Sequence, residues 1–170
     1  MLSTIHSATI IGLEAHAVDV EVDVSASGLP YTTIVGLPNK AVQESKERVR
    51  AALRNAGMKV KARKVTINLA PASLPKQGPA FDLPIALGLL QSHHLIPSFT
   101  EKVLIVGELS LDGKLKYLPG SIAFALLGKR QGFESCILPA SCVSELQCIQ
   151  GIKIYPAQSL QELYRKSYLM

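Results

Sequence analysis

The sequence predicts an α/β domain of the two-layer α+β kind, and three observations carry that prediction. The first is a period of two near the start. Val18, Val20, Val22 and Val24 alternate with Asp19, Glu21 and Asp23, the pattern of a strand with one buried and one polar face. The second is a helical period behind Asn39, where Val42, Val49, Ala52, Leu53 and Ala56 fall on one face. The third is order: strands come first, then helix and strand alternate. With 170 residues, 48% of them hydrophobic, the chain suits one domain over 1–170 with a substantial core.

Residues 5–13 and 17–25 read as strands, Gly28-Leu29-Pro30 as a turn and 31–36 as a third strand. Asn39 is the expected N-cap of the first helix and Gly57 its stop. A fourth strand covers 65–69. A loop rich in Pro, Ser and Gly spans 71–81. Asp82 is the expected cap of the next helix, with Pro84 in its first turn. Residues 103–109 read as an apolar strand and Asp112-Gly113 as a hairpin-type turn. A helix at 120–131, a strand at 136–138, a helix near 140–147, a strand at 152–155 and a last helix at 159–166 complete the chain.

Composition excludes several classes. No stretch approaches the ~20 apolar residues needed to span a bilayer. The start, Met1-Leu2-Ser3-Thr4-Ile5-His6, lacks a basic region followed by an apolar run. A cytoplasmic protein without membrane association is expected. Cys136, Cys142 and Cys148 lack the spacing of a zinc site, and reduced structural thiols are expected. The aromatic content of 5%, with no Trp, argues against recognition by base stacking.

Charge is concentrated. Between Lys40 and Lys64 lie nine basic and two acidic side chains, a net of +7, which leaves −2 for the rest of a chain whose net charge is +5. Lys46, Arg50 and Arg54 form a stripe beside the apolar helix face. Arg48 lies on the other flank, and Lys59, Lys61, Arg63 and Lys64 follow. These residues are the candidate nucleic-acid contacts, because such a surface neutralises phosphates and releases counterions. The same pattern also fits a solvated helix, or arginines that meet acidic rows across a subunit interface. The row Asp19, Glu21, Asp23 fits a solvated face, or basic partners on a neighbouring strand or subunit, better than a metal, because alternate residues stand ~6.5–7 Å apart.

The motif search is mostly negative. A Gly-x-x-x-x-Gly-Lys-Ser/Thr loop is absent. At Gly128-Lys129 the next residue is Arg130, and Gly120 lies too far upstream. No GxGxxG, HExxH, EF-hand or GxSxG pattern occurs. His93-His94 fits a surface or cap role better than a metal. No cofactor and no metal is expected.

Two segments resemble the Lon peptidases. Leu74-Pro75-Lys76-Gln77-Gly78-Pro79-Ala80 is similar to the nucleophile loop Pro-Lys-Asp-Gly-Pro-Ser-Ala-Gly. Gly107-Glu108-Leu109-Ser110-Leu111-Asp112-Gly113-Lys114 is similar to Gly-Glu-Ile-Ser-Leu-x-Gly-x. A second resemblance covers nearly the whole chain from residue 5. Thr33-Ile34-Val35-Gly36-Leu37-Pro38, Glu44-Ser45-x-x-Arg48-Val49-Arg50-Ala51-Ala52-Leu53, Asn68-Leu69-Ala70-Pro71-Ala72 and Phe81-Asp82-Leu83-Pro84-Ile85-Ala86 occur in the order found in the Lon-like, ChlI-type domain that opens the YifB/ComM family of magnesium-chelatase-related AAA+ ATPases.

That resemblance implies a fold like domain 2 of ribosomal protein S-five, as in the Lon proteolytic domain. It implies Ala80 where Lon peptidases carry the nucleophilic Ser, and Ile122 where they carry the Lys that acts as its base. A displaced pair, Ser73 with Lys76 or Ser121 with another lysine, would need a different geometry. The expected function is a non-catalytic domain serving DNA binding or ring assembly with an AAA+ ATPase, in recombination or transformation, with DNA, such an ATPase or further copies of itself as partners. The family forms hexamers, and its ATPase module follows the Lon-like domain; these 170 residues contain no such module. A Lon-type Ser-Lys peptidase and a purely structural oligomerisation module are the alternatives.

Overall fold

The computed structural model describes residues 1–166. Seven strands and five helices alternate as β1 (Leu2–Ile11), β2 (Glu14–Val24), β3 (Tyr31–Val35), α1 (Lys40–Asn55), β4 (Lys64–Ala70), α2 (Asp82–Ser92), β5 (Val103–Ile105), α3 (Ser121–Arg130), β6 (Ser135–Pro139), α4 (Val143–Leu146), β7 (Lys153–Ala157) and α5 (Leu160–Lys166). A turn of 3-10 helix, Ala140–Cys142, leads into α4. The strands form one mixed sheet in the order β3-β4-β2-β1-β5-β6-β7. β2 runs antiparallel to both neighbours, and every other adjacent pair is parallel. The mixed α/β class read from the sequence is therefore the observed one.

The sheet is covered unevenly. In β2 the alternating valines 18 to 24 are all buried, and they pack with Val42, Val49, Ala52 and Leu53 of α1 and with Leu83, Leu87 and Leu90 of α2. The other face of β3, β4 and the Asp19–Asp23 stretch of β2 carries mainly polar side chains, whereas Ala15 and Ala17 of β2 pack in a second core with α3. At the β5-β6-β7 end both faces are covered. Ile105 and Ile137 point into the first core, with Leu160 and Leu163 of α5. The intervening Leu104, Cys136 and Leu138 form a second core with Phe124, Ala125 and Leu127 of α3. The apolar alternation of β2 thus produces two layers, and the all-buried strands β5 and β6 produce a third at one end.

Local chemistry explains most boundaries. Asn39 caps α1 as expected, its Oδ1 accepting from the Val42 amide at 3.0 Å. Asp82 does not cap α2. Phe81 takes the cap position without a side-chain hydrogen bond, and the Asp82 carboxylate is committed elsewhere. The apolar run 103–109 is strand only over Val103–Ile105. Beyond it the chain turns toward α2, with the Gly107 amide donating to the Ala80 carbonyl at 2.9 Å. The Asp112-Gly113 turn forms, closed by an isolated antiparallel bridge between Leu109 and Leu115. Among the described residues no helix is long and apolar enough to cross a membrane.

Candidate functional site

The segments that resemble Lon converge at the carboxyl end of the parallel strands, around the loop 71–81. Its backbone is tied to the chain leaving β3. The Lys76 amide donates to the Leu37 carbonyl at 3.2 Å, and the Lys76 carbonyl accepts from the Asn39 amide at 3.1 Å. The Gln77 amide donates to Thr9 Oγ1 of β1 at 3.3 Å. The Lys76 side chain turns inward. It is fully buried, and its ammonium donates to the Pro71 carbonyl. Burial pushes its pKa below the ordinary lysine range. Sequence reasoning treated Lys76 as part of a motif. Its depth is set by the backbone ties of the loop, which have no signature in residue order.

Behind the loop lies a partly buried ion pair, the Arg48 side chain 22% exposed and the Asp82 side chain fully buried. Arg48 Nε and Nη2 donate to Asp82 Oδ2 and Oδ1 at 2.8 and 3.0 Å, and the Leu109 amide donates to Oδ2 at 3.2 Å. Arg48 Nη2 also donates to Ser45 Oγ and the Ala41 carbonyl. Asp82 is fully buried, and burial pushes its carboxyl up against the opposing pull of Arg48. Arg48 in turn is held more firmly protonated by its hydrogen bonds to Asp82. The geometry ties α1, α2 and the 107–109 segment together. Arg48, one of the expected nucleic-acid contacts, is the member of that set whose guanidinium is tied to a buried carboxylate.

Ala80 and Ile122, the positions that the resemblance leads one to expect at the Lon dyad, are apolar and differ in exposure. Ala80 is buried in the second core with Ala8, Leu104, Val106 and Phe124. Ile122, in the first turn of α3, is 40% exposed. Gly120 precedes it with φ of 82°, and a Cβ there would stand 2.4 Å from Ile10 Cδ1, so the entry of α3 packs directly on β1. Ser121 Oγ donates to Glu145 Oε2 at 2.8 Å, and the Tyr117 hydroxyl donates to Glu145 Oε1. Those two bonds, Tyr117 first, hold the Glu145 carboxyl below its usual range. Among the described residues no hydrogen bond joins a serine hydroxyl to a lysine ammonium; Ser110 Oγ donates to the Lys114 carbonyl at 3.2 Å.

The basic segment divides in three. Lys46, Arg50 and Arg54 follow one another along α1, with Arg50 and Arg54 exposed. Lys59, Lys61 and Arg63 line a groove of about 370 Å³ together with His93, His94 and Met1. Arg63 Nη1 donates to the Ala26 carbonyl at 3.2 Å. His93 closes α2 as its C-cap and places its ring between the Leu89 and Lys61 carbonyls, which agrees with a cap role. Lys64 begins β4 and alternates with buried Val65, so it belongs to the uncovered sheet face.

On that face each acid of the β2 row has a partner within the chain. His6 Nδ1 lies 2.7 Å from Asp19, Asn68 Nδ2 donates to Glu21 at 2.8 Å, and the Met1 amino group stands 3.6 Å from Asp23. Among the described residues no group of three or more His, Cys, Asp or Glu side chains is placed to hold a metal.

Comparison with known proteins agrees with this geometry. Residues 20–142 match the family model described as subunit ChlI of Mg-chelatase. The chain is 45% identical over 161 residues to the uncharacterised protein YifB of Escherichia coli, covering 94% of this chain and 31% of that protein. It is 39% identical over 163 residues to the competence protein ComM of Haemophilus influenzae, covering 95% and 32%. Lon protease 2 of Bacillus subtilis is 29% identical over 147 residues, covering 82% and 26%. The chain thus spans about a third of the length of the YifB and ComM relatives. The loop 71–81, the α1 phrase and the 107–114 turn stand inside a matched region that covers most of the sequence, and the chain belongs to the ChlI family, as a homologue of YifB and ComM and a more distant one of Lon.

Proposed function

We propose that this domain is a non-catalytic binding and assembly module that serves an AAA+ ATPase acting on DNA. The observation that carries the reading is the solvent-facing basic run along α1, Lys46, Arg50 and Arg54, continued by the groove side chains Lys59, Lys61 and Arg63. These groups have no buried carboxylate to serve, unlike Arg48, and an open row of cations suits a phosphate backbone. Ala80 has no nucleophilic atom, and Ile122 no basic one, which supports a role in binding over peptide cleavage. A relative named as a competence protein supports DNA handling over other uses of the fold.

The test is fluorescence anisotropy with labelled single-stranded and branched DNA across a salt series. Arg50→Glu combined with Arg54→Glu should weaken binding at least tenfold. It should also flatten the salt dependence on single strands by about 1.4, at ~0.7 per phosphate contact. Unchanged binding in the double variant, or no binding of the parent chain at low salt, rejects the DNA half of the proposal. A Lon-type peptidase would instead degrade an unfolded protein such as casein, and turnover abolished by Ser73→Ala or Ser121→Ala would replace this reading.

A further inference from the structure

The groove of Lys59, Lys61 and Arg63 adjoins a second one, of about 330 Å³, on the side of α1. Ala56, Gly57 and Met58, at the end of α1, line this second groove together with Gln161, Tyr164 and Arg165 of α5. Lys59 and Leu95 line both grooves, which makes them neighbours across one shared wall. The pair therefore links two parts of the basic segment: the α1 row ends at Arg54, beside Ala56, and Lys59 carries it on to Lys61 and Arg63. No Asp or Glu lines either groove. Among the described residues no carboxylate stands within ion-pair distance of Lys59, Lys61, Arg63 or Arg165. The loop between the grooves is held at both ends. The Gly57 amide donates to the Arg54 carbonyl at 3.1 Å, and His93 Nε2 lies 3.2 Å from the Lys61 carbonyl.

Resting on the DNA-binding reading, we infer that the two grooves form one channel for single-stranded DNA, with Arg165 of α5 as a further phosphate contact. Arg165 lies a hundred residues beyond the basic segment, so charge counting along the sequence does not find it. The lining selects the ligand. Four cations with no acid among them suit a run of phosphates, and a positively charged groove is what tracks a single-strand backbone. The same walls carry apolar atoms of Met58 and Leu95. A single strand offers both phosphates and unstacked bases, and so meets both kinds of wall. A duplex keeps its bases stacked inside and presents mainly phosphate and sugar to a surface. It can lie along the exposed row of α1, but it is too thick to lower its backbone into grooves of about 330 and 370 Å³. Because the loop between the grooves is already tied down, little ordering is left for the strand to impose.

Fluorescence anisotropy with a labelled oligothymidylate, and with a duplex of equal length, tests this across a salt series. The parent chain should prefer the single strand. Arg165→Glu should weaken oligothymidylate binding about tenfold while changing duplex binding less than about twofold. Arg165→Gln, which removes one contact without reversing its charge, should flatten the single-strand salt dependence by ~0.7. Circular dichroism checks that both variants are folded. Hydrogen exchange of the parent chain supplies an arm that needs no variant: the amides of Lys59 and Lys61 should gain protection when oligothymidylate is added. Binding that responds to Arg50→Glu with Arg54→Glu but not to either Arg165 variant overturns the channel and leaves the DNA-binding reading standing. So does a parent chain that binds the duplex as tightly as the single strand, or exchange at Lys59 and Lys61 that oligothymidylate does not slow. A parent chain that binds no DNA at low salt overturns both.

Discussion

Replacing Arg48 by Met removes the guanidinium from Asp82 while keeping an apolar stem of similar reach. The carboxylate is fully buried and loses both of its guanidinium contacts, at 2.8 and 3.0 Å, keeping the Leu109 amide at 3.2 Å. Stranding one member of a buried pair costs about 3–5 kcal/mol. For a domain of this size each kcal/mol lowers Tm by about 2–4 °C, so the expected fall is roughly 6–20 °C. The loss should also depend on pH. Burial already raises the Asp82 carboxyl, and without Arg48 it rises further above the ~3.9 of an unfolded aspartate. A raised folded value means that the stabilising protonated form prevails at low pH and is lost as pH rises. The deficit of Arg48→Met should therefore be smallest near pH 4 and grow toward neutrality. Urea denaturation followed by circular dichroism at both pH values measures this. Arg48→Met with Asp82→Leu should recover much of the loss, since exchanging a whole buried pair for apolar groups is often near neutral. A cost of Arg48→Met under ~1 kcal/mol, or one equal at both pH values, would refute the argument.

Three further outcomes follow from the same structure. Burial lowers the Lys76 pKa, so the unfolded chain binds more protons as pH climbs toward ~10.4, and stability relative to Lys76→Met should rise over that window; denaturation from pH 7 to 10.5 reads the difference, and a flat difference contradicts it. In the native protein at pH 8 the exposed Cys148 should react with a thiol reagent, while Cys142 and Cys136, the latter pushed up to about 12 by burial, should react only on unfolding; three thiols of equal rate would be the contrary result. Gly36 has φ of 96°, and a Cβ there would lie 2.2 Å from the Leu69 carbonyl oxygen, so Gly36→Ala should cost well above the ~1–2 kcal/mol of Gly12→Ala, which has open space and a φ of 63°; equal thermal shifts would overturn this.

Much of the fold was legible because burial imposes periods that survive in residue order. The valine alternation of β2, the apolar face of α1 and the Asn39 cap each depend on neighbours within a few residues, and each forms as read. Asp82 shows where local reasoning stops. An acid before an apolar helix is an ordinary cap, but this one is fully buried, and a guanidinium 34 residues earlier in the chain takes it. Two signals were present. An acid inside the apolar run from Ala80 to Leu90 needs a buried counter-charge, and Ser45 sits on the core face of α1, one turn from Arg48. The split of the basic segment was less accessible. Lys64 is adjacent to Arg63 in sequence, yet strand alternation sends it to the opposite face of the sheet.

The central strand of the sheet has a temporal consequence. β1 finds β2 within a few residues, across a tight turn, but its other neighbour β5 begins only at Val103. At ~5–20 residues per second, a ribosome needs roughly 5–20 s to proceed from Ile11 to β5. During that interval β1 to β4 can assemble with α1 and α2, while one side of β1 stays without a strand to close it. The nascent domain therefore emerges with its midline open. Its vulnerable moment in the cell falls during synthesis, at a strand the finished protein pairs on both sides.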